Sequence, residues 1–223
     1  MGCAVYALDL RGRGNSEGPR LLIDDISEYV ADVAMVIQTA KSREPRVPIF
    51  LLGHSAGGVV SCTYALDYQN EIDGLICESF AYKVYAPDFV LNIIKGLSKL
   101  APRLPILKLN TKDFSRDPKV IQTMKSDPLG VDQENQPAIT VAALVRATER
   151  MTVGFPKITL PVLILHGTAD KATVPAGSQF FYDTAGSKDK TLKLYDGYFH
   201  DPLNDLGKEK VMEDIKSWLQ SRM

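Results

Sequence analysis

The sequence predicts an α/β fold in which a mostly parallel sheet is flanked by helices and carries an inserted helical segment. Short apolar runs that favour strands alternate with helical patterns, which is the order of βαβ units. Several of these runs are continuous rather than alternating, as is typical of strands covered on both faces. Between residues 80 and 157 the alternation stops and prolines interrupt the helical patterns.

The individual elements follow from hydrophobic periodicity. Five apolar runs predict strands at residues 5–8, 49–52, 74–77, 162–165 and 191–195. Four helical patterns predict helices at residues 23–40, 59–68, 176–184 and 208–220. We therefore assign residues 1–79 and 158–223 to the core of the fold.

Residues 80–157 carry an apolar helical stripe, and we interpret them as a helical cap inserted into the core. The stripe comprises Phe89, Val90, Ile93, Ile94, Leu97 and Leu100. An apolar face of this width is suited to cover a partner surface. An ordinary set of packed helices without a lid role is the alternative.

Composition and charge argue against several classes of function. Of the 223 residues, 45% are hydrophobic and 24% are charged, and the net charge of −1 creates no field that favours nucleic acid. Cys3, Cys62 and Cys77 are scattered and no zinc-ligand spacing occurs, so we expect buried thiols at Cys62 and Cys77 and no metal or cofactor. No signal peptide and no membrane-spanning run is visible, which predicts a cytoplasmic protein.

The segment Gly53-His54-Ser55-Ala56-Gly57 fits the pattern G-x-S-x-G. In this pattern a strained turn between a strand and a helix raises the serine hydroxyl above a sheet. Side chains two residues before and two residues after the serine are expected to clash, which requires glycine at both positions. A predicted strand precedes the segment and a predicted helix follows it. We therefore predict that Ser55 is a nucleophile and that the N–H of Ala56, at the helix N-terminus, stabilises an oxyanion.

A serine nucleophile needs a general base, and the chain has three histidines. His200 follows the last predicted strand, at the carboxyl edge of the sheet where such sites assemble. His54 adjoins the nucleophile and is expected to point away from it. His166 ends a buried strand and is expected to pack under a loop, although a role as base stays open. We predict His200 as the base.

The base in turn needs an acid that orients it, and Asp170 is the predicted one. It follows the strand predicted at residues 162–165, so it lies near the same edge and can accept the Nδ1–H of His200. The chain order Ser, Asp, His is typical of proteins with this turn. Asp201 and Asp205 are rivals, although Asp201 abuts His200 and is poorly placed to align with its ring. A turn-capping aspartate is the alternative interpretation of Asp170.

Together these motifs resemble the monoacylglycerol lipase and lysophospholipase-like group of α/β-hydrolases, whose pattern the serine aminopeptidase-type (S33) hydrolases share. The resemblance covers nearly the whole chain. Besides the segment around Ser55, it rests on residues 9–18 (DLRGRGNSEG), 126–129 (SDPL), 165–170 (LHGTAD) and 189–193 (DKTLK) leading to His200. It implies an α/β-hydrolase fold with a cap over an acyl pocket, and hydrolysis of monoacylglycerols, lysophospholipids or similar esters.

The chain departs from this family at its start. Family members carry a His-Gly loop that supplies a second oxyanion N–H, and a central strand between those resembling residues 5–8 and 49–52. Residues 1–20 contain no such loop. We therefore expect unpaired sheet edges and an incomplete oxyanion hole. A truncated gene model, an internal start, a fragment of a longer chain and a rearranged sheet are all compatible with this departure.

The sequence thus predicts a serine hydrolase that cleaves carboxylic esters through an acyl-enzyme. We expect Phe80, Phe89, Ile93 and Leu97 to bind a small-molecule ester or lipid, and the cap to make at most transient contact with a membrane surface. A catalytically impaired homologue and an amide or peptide hydrolase are the alternatives. No nucleic-acid partner is predicted, and the oligomeric state is left open.

Overall fold

The structure, a computed structural model, describes residues 2–130 and 135–223. Its main sheet has four parallel strands in the order β1-β2-β5-β6, and a second small sheet pairs β3 with β4. The strands are β1 (Phe50–His54), β2 (Gly74–Glu78), β3 (Pro105–Leu107), β4 (Gln136–Pro137), β5 (Val162–Gly167) and β6 (Lys190–Tyr195). The predicted parallel sheet is therefore confirmed, and its four strands correspond to four of the five predicted ones.

Seven α-helices accompany these strands in the described residues. They are α1 (Ile26–Arg43), α2 (Ala56–Tyr68), α3 (Asp88–Leu100), α4 (Pro118–Ser126), α5 (Ala138–Gly154), α6 (Pro175–Thr184) and α7 (Lys208–Gln220). The last helix has the predicted bounds. The first begins three residues later than predicted because Asp25 caps it, accepting the N–H of Ser27 while Glu28 reaches back to the backbone of Asp25.

The central strands bury side chains on both faces of the main sheet. On β2, Leu75 and Cys77 belong to the larger core cluster with α1, α2, α5 and α6, whereas Ile76 faces the smaller cluster around Trp218 of α7. Because consecutive strand residues face opposite sides, both faces must be covered, and this explains the continuous apolar runs. The thiols of Cys62 and Cys77 are free and buried, as predicted.

The strand predicted at residues 5–8 is not formed, so that prediction is wrong. Residues 2–10 have no regular secondary structure, and Val5 is 87% exposed. A strand is stable only when a neighbour completes its hydrogen-bond ladder, and none of the described strands pairs with this segment. The expected open edge is present at β1, where Leu52 is 43% exposed.

The segment interpreted as a cap contains α3, α4, α5 and the small sheet. α3 packs on α5, and α5 packs in turn on α2. Its residues Ala143, Ala147 and Met151 belong to the larger core cluster, so this helix joins the segment firmly to the rest of the molecule. The limits at residues 80 and 157 stay a prediction, and residues 131–134 lie outside the described part of the chain. Across the described residues, none of the helices combines the length and the apolarity needed to cross a membrane.

Candidate active site

Ser55 occupies a strained turn between β1 and α2. Its φ of 54° lies in the left-handed region, which a non-glycine residue enters only at a cost of about 1–3 kcal/mol. Gly53 is required there, because a Cβ would lie 2.3 Å from the carbonyl oxygen of Gly57. The prediction that a side chain at position 57 would clash is wrong, since a Cβ on Gly57 meets nothing within 4 Å. The crowded position is Gly58, where a Cβ would lie 2.2 Å from the Cβ of Phe80.

Three strand ends bring Ser55, His200 and Asp170 together at the carboxyl edge of the sheet. Ser55 follows β1, Asp170 follows β5, and His200 follows β6. The Ser55 Oγ lies 2.8 Å from Nε2 of His200, and Nδ1 of His200 lies 2.8 Å from Oδ2 of Asp170. The hydroxyl can therefore pass its proton to the imidazole while the carboxylate holds the opposite nitrogen.

The carboxylate of Asp170 is surrounded by donors. Its Oδ1 accepts the N–H groups of Ala172 at 2.7 Å and Thr173 at 2.9 Å, and its Oδ2 accepts the Thr173 hydroxyl at 2.7 Å. Nε2 of His166 also lies 3.0 Å from Oδ2. Burial raises the pKa of Asp170, but hydrogen bonds from His166 and His200 outweigh burial and hold this pKa well below its usual range.

An ionised Asp170 only accepts hydrogen bonds, so both neighbouring imidazoles donate to it. His200 then carries its proton on Nδ1, which leaves Nε2 free to accept the Ser55 hydroxyl. His166 carries its proton on Nε2, and its Nδ1 accepts the hydroxyl of Ser178 at 2.7 Å. The sequence predicted a packing role for His166 but not its contact with Asp170.

His54 supports the base from the other side. Its Nε2 lies 3.0 Å from the carbonyl oxygen of His200, and the two ring centroids are 4.8 Å apart. Burial, together with the neighbouring His200, lowers the pKa of His54. The neutral ring can therefore donate one hydrogen bond to the His200 carbonyl.

The two rival carboxylates do not reach the His200 ring. Asp201 accepts the amide of Asn204, and Asp205 accepts the N–H of Phe199 and the guanidinium of Arg116. Sequence reasoning gave no signal for the last contact, because Arg116 and Asp205 are 89 positions apart.

Phe114 is a further neighbour of the base that the sequence did not indicate. Its ring lies edge-on to the His200 imidazole, with ring centroids 4.9 Å apart and planes at 89°. Phe114 comes from the segment interpreted as a cap, so this segment touches the predicted base directly.

The structure separates the four residues predicted to bind substrate. Phe80 is 1% exposed and packs in the core against Phe155 and Phe181, so no part of its ring faces the site. Its position directly after β2 points the ring inward over α2, which the apolar pattern alone could not reveal. Phe89 and Ile93 on α3 are 65% and 60% exposed, and Leu97 is half-buried.

One group of described side chains has the donor atoms of a metal site. Atoms of His54, Glu78 and Asp201 lie within 4.8 Å of one another. The His54 ring is engaged with His200, and Oε1 of Glu78 accepts the N–H of Leu203 at 2.8 Å. Burial, reinforced by the charge of Asp201, raises the pKa of Glu78 to about 8. We assign this group to the support of the segment between β6 and α7 (residues 196–207), which carries His200 and is called the His200 loop.

The backbone of Ala56 is suited to receive an oxyanion. Ala56 is the first residue of α2, so its N–H has no acceptor within the helix. It also lies at the positive end of the helix dipole, immediately after Ser55.

Comparisons with known proteins agree with this geometry. The model of the family described as Serine aminopeptidase, S33 matches residues 1–207. The chain belongs to this family. A monoacylglycerol lipase of Mycolicibacterium smegmatis is 34% identical over all of this chain and 80% of its own length. The human monoglyceride lipase is 30% identical over 98% of this chain and 73% of its own length.

Two solved structures confirm the predicted α/β-hydrolase fold. The monoacylglycerol lipase of Paleococcus ferrophilus has a TM-score of 0.85 and 29% identity, over 95% of this chain and 81% of that one. A soluble variant of the monoglyceride lipase of Saccharomyces cerevisiae, in complex with a substrate analogue, has a TM-score of 0.82 and 26% identity. That match covers 96% of this chain and 76% of the yeast chain.

Proposed function

We propose that this protein is a serine hydrolase that cleaves the carboxylic ester of monoacylglycerols or similar monoacyl lipids. The observation that carries the proposal is the unbroken series of hydrogen bonds from Ser55 through His200 to Asp170. The two curated relatives described above are named as lipases of monoacylglycerols, which supports this choice of substrate.

The proposed reaction proceeds through an acyl-enzyme. Ser55 Oγ attacks the ester carbonyl while Nε2 of His200 takes its proton, and Asp170 stabilises the resulting imidazolium. The N–H of Ala56 stabilises the negative charge that develops on the carbonyl oxygen. His200 then protonates the leaving alcohol. In the second half, His200 activates a water molecule that hydrolyses the acyl-serine and restores the free enzyme.

We further propose that α3 contacts the acyl chain or the surface of the lipid aggregate that supplies it. Phe89 and Ile93 are exposed on this helix, and Leu100 at its end is 87% exposed. Transfer of large apolar side chains on an exposed helix from water into lipid lowers the free energy. Sedimentation with neutral phospholipid vesicles tests this contact, and replacing Phe89 and Ile93 by serine should abolish co-sedimentation while turnover of a short water-soluble ester is unchanged.

A cytoplasmic location is the accompanying proposal for the whole chain. The three cysteines are free, and the two buried thiols have no disulfide partner among the described residues. This state suits a reducing compartment. Fractionation of cells that express the protein at its natural level tests the location, and recovery outside the cytoplasmic fraction would contradict it.

The central experiment compares the wild type with Ser55→Ala on four substrates. These are a monoacylglycerol, a lysophospholipid, a p-nitrophenyl ester and a matched p-nitroanilide. We expect turnover of the monoacylglycerol and the simple ester, weak or no turnover of the anilide, and loss of all activity in Ser55→Ala. Ser221→Ala, at the C-terminal end of α7, is the matched control because its hydroxyl bonds the carbonyl of Trp218 and the guanidinium of Arg222, both in the same C-terminal segment.

Each alternative activity corresponds to a distinct outcome of this comparison. Preferred cleavage of the anilide would identify an amide hydrolase. A folded protein that turns over none of the substrates would indicate a catalytically impaired homologue. Unchanged activity of Ser55→Ala would show that another residue is the nucleophile.

A further inference from the structure

A short segment of the cap is bound to the loop that carries His200. The carbonyl oxygen of Asp113 accepts the N–H of His200 at 3.3 Å, and that of Phe114 accepts the N–H of Asp201 at 2.8 Å. The Phe114 ring also lies edge-on against the imidazole. The backbone and ring of the predicted base therefore rest on residues 113 and 114, which lie almost 90 positions earlier in the chain.

Arg116, two residues further on, binds the same loop through its backbone N–H and its guanidinium. Its N–H donates to Oδ1 of Asp205 at 2.7 Å and its Nε donates to Oδ2 at 2.8 Å. One Nη donates to the carbonyl oxygen of Leu206 at 2.6 Å, and the guanidinium lies 4.4 Å from the centroid of the Tyr198 ring. A single side chain thus contacts the loop on both sides of His200.

Asp205 receives these bonds from a buried position within the His200 loop. It is 2% exposed, and its carboxylate also accepts the N–H of Phe199 at 2.9 Å and of Leu206 at 2.8 Å. The Ser115 hydroxyl lies 3.3 Å from Oδ1. One carboxylate therefore connects the residue before His200 with the cap segment. Burial raises the pKa of Asp205, but these hydrogen bonds and Arg116 outweigh burial, so the group is ionised at neutral pH.

We propose that Arg116 and Asp205 are positioning residues that hold His200 at hydrogen-bond distance from Ser55 by fixing the cap segment to the His200 loop. This inference rests on the proposed function, because it concerns the same base. It assigns to the cap a role in catalysis that is separate from any contact with the acyl chain.

The contacts of the His200 loop explain why the clamp formed by Arg116 and Asp205 acts on His200. On the side of the core, the loop is held by the N–H of Ala169, which donates to the Tyr198 carbonyl, and by His54, which lies next to the His200 carbonyl. On the opposite side, the loop is held by residues 113–116. Without the Arg116 side chain, the cap side of the loop keeps only its contacts with residues 113–115, which no longer have the ion pair to hold them. A shift of about 1 Å in a reacting group can reduce turnover about 100-fold.

The test uses Arg116→Gln, Arg116→Lys and Asp205→Asn in the full chain. Assays with a short water-soluble ester, which does not need the apolar face of α3, are run well below the melting temperature of each variant. We expect kcat of Arg116→Gln to fall by about 10-fold or more while KM changes by less than about twofold. Arg116→Lys, which keeps the charge but not the forked geometry, should recover part of the loss.

A double-mutant cycle and a matched ion pair complete the test. Because Arg116 and Asp205 act as one unit, the double variant should be no slower than the slower single variant. Arg150→Gln is the control, since Arg150 forms a two-pronged ion pair with Asp67 that joins α5 to α2 instead of touching the His200 loop. Its kcat should equal that of the wild type.

The outcomes separate this inference from the proposed function. Arg116→Gln with a lower melting temperature but wild-type kcat would show that the clamp is merely structural, and a change confined to KM would show that it binds substrate. Either result overturns the inference while the proposed function stands. Wild-type activity in Ser55→Ala would overturn the proposed function first.

Discussion

Replacement of Asp170 by asparagine should nearly abolish activity through a change of tautomer. The amide NH2 group must take the place of either Oδ1 or Oδ2. At Oδ1 it would face the N–H groups of Ala172 and Thr173, which are fixed at 2.7 and 2.9 Å. At Oδ2 it would face the two imidazoles and a hydroxyl, which can exchange or rotate their protons. The NH2 group therefore takes the Oδ2 position.

In that position the amide donates to Nδ1 of His200, so the imidazole proton moves to Nε2 and faces the Ser55 hydroxyl. The ring can then no longer accept the serine proton. The same change in a well-studied serine protease lowers kcat about 10⁴-fold, equivalent to about 5 kcal/mol of activation free energy, and we expect a loss of that size here.

The assay is p-nitrophenyl ester hydrolysis with the melting temperature recorded in parallel. Asp189→Asn is the control, because Asp189 precedes β6, at the opposite edge of the sheet, and pairs with Arg222. A folded Asp170→Asn enzyme within about tenfold of the wild-type kcat would refute the reasoning.

Three further predictions concern the surroundings of the site. Gly53→Ala should lower both the melting temperature and kcat, because its Cβ would lie 2.3 Å from the carbonyl oxygen of Gly57, whereas Gly57→Ala should leave the melting temperature unchanged. Equal melting temperatures of these two variants would contradict this. His166→Leu removes a donor to Asp170 and should lower kcat about tenfold, with partial recovery in His166→Gln, and full activity of His166→Leu would exclude the role. Glu78 has a pKa raised to about 8, so the folded chain keeps a proton that the unfolded chain loses and stability falls as the pH rises towards 8. Glu78→Gln should therefore melt at least about 3 °C above the wild type at pH 8 but not at pH 5, and parallel curves would contradict this.

Local patterns predicted the elements that depend on local physics. The turn around Ser55 has a fixed spacing because its backbone strain and the close approach at Gly53 are set within a few residues. α7 was predicted with its observed bounds because its apolar face follows helical periodicity. The positions of Asp170 and His200 followed from topology, since parallel strands deliver their carboxyl ends to one edge of the sheet.

Features that depend on distant partners could not be predicted in this way. Residues 5–8 have the composition of a strand, but a ladder needs a neighbour that the apolar pattern does not identify. Phe80 is as apolar as a substrate contact would be, and only its packing on Phe155 and Phe181 shows that it belongs to the core. The bond between Arg116 and Asp205 has no sequence signature, because it joins two segments 89 positions apart.

The most direct test of the account is to identify the residue that a fluorophosphonate modifies in the folded chain. Mass spectrometry of the digested adduct should locate a single modification on Ser55, formed at a rate that falls steeply in His200→Ala. Modification of a different serine, or full ester turnover by a protein whose Ser55 is completely modified, would contradict the account.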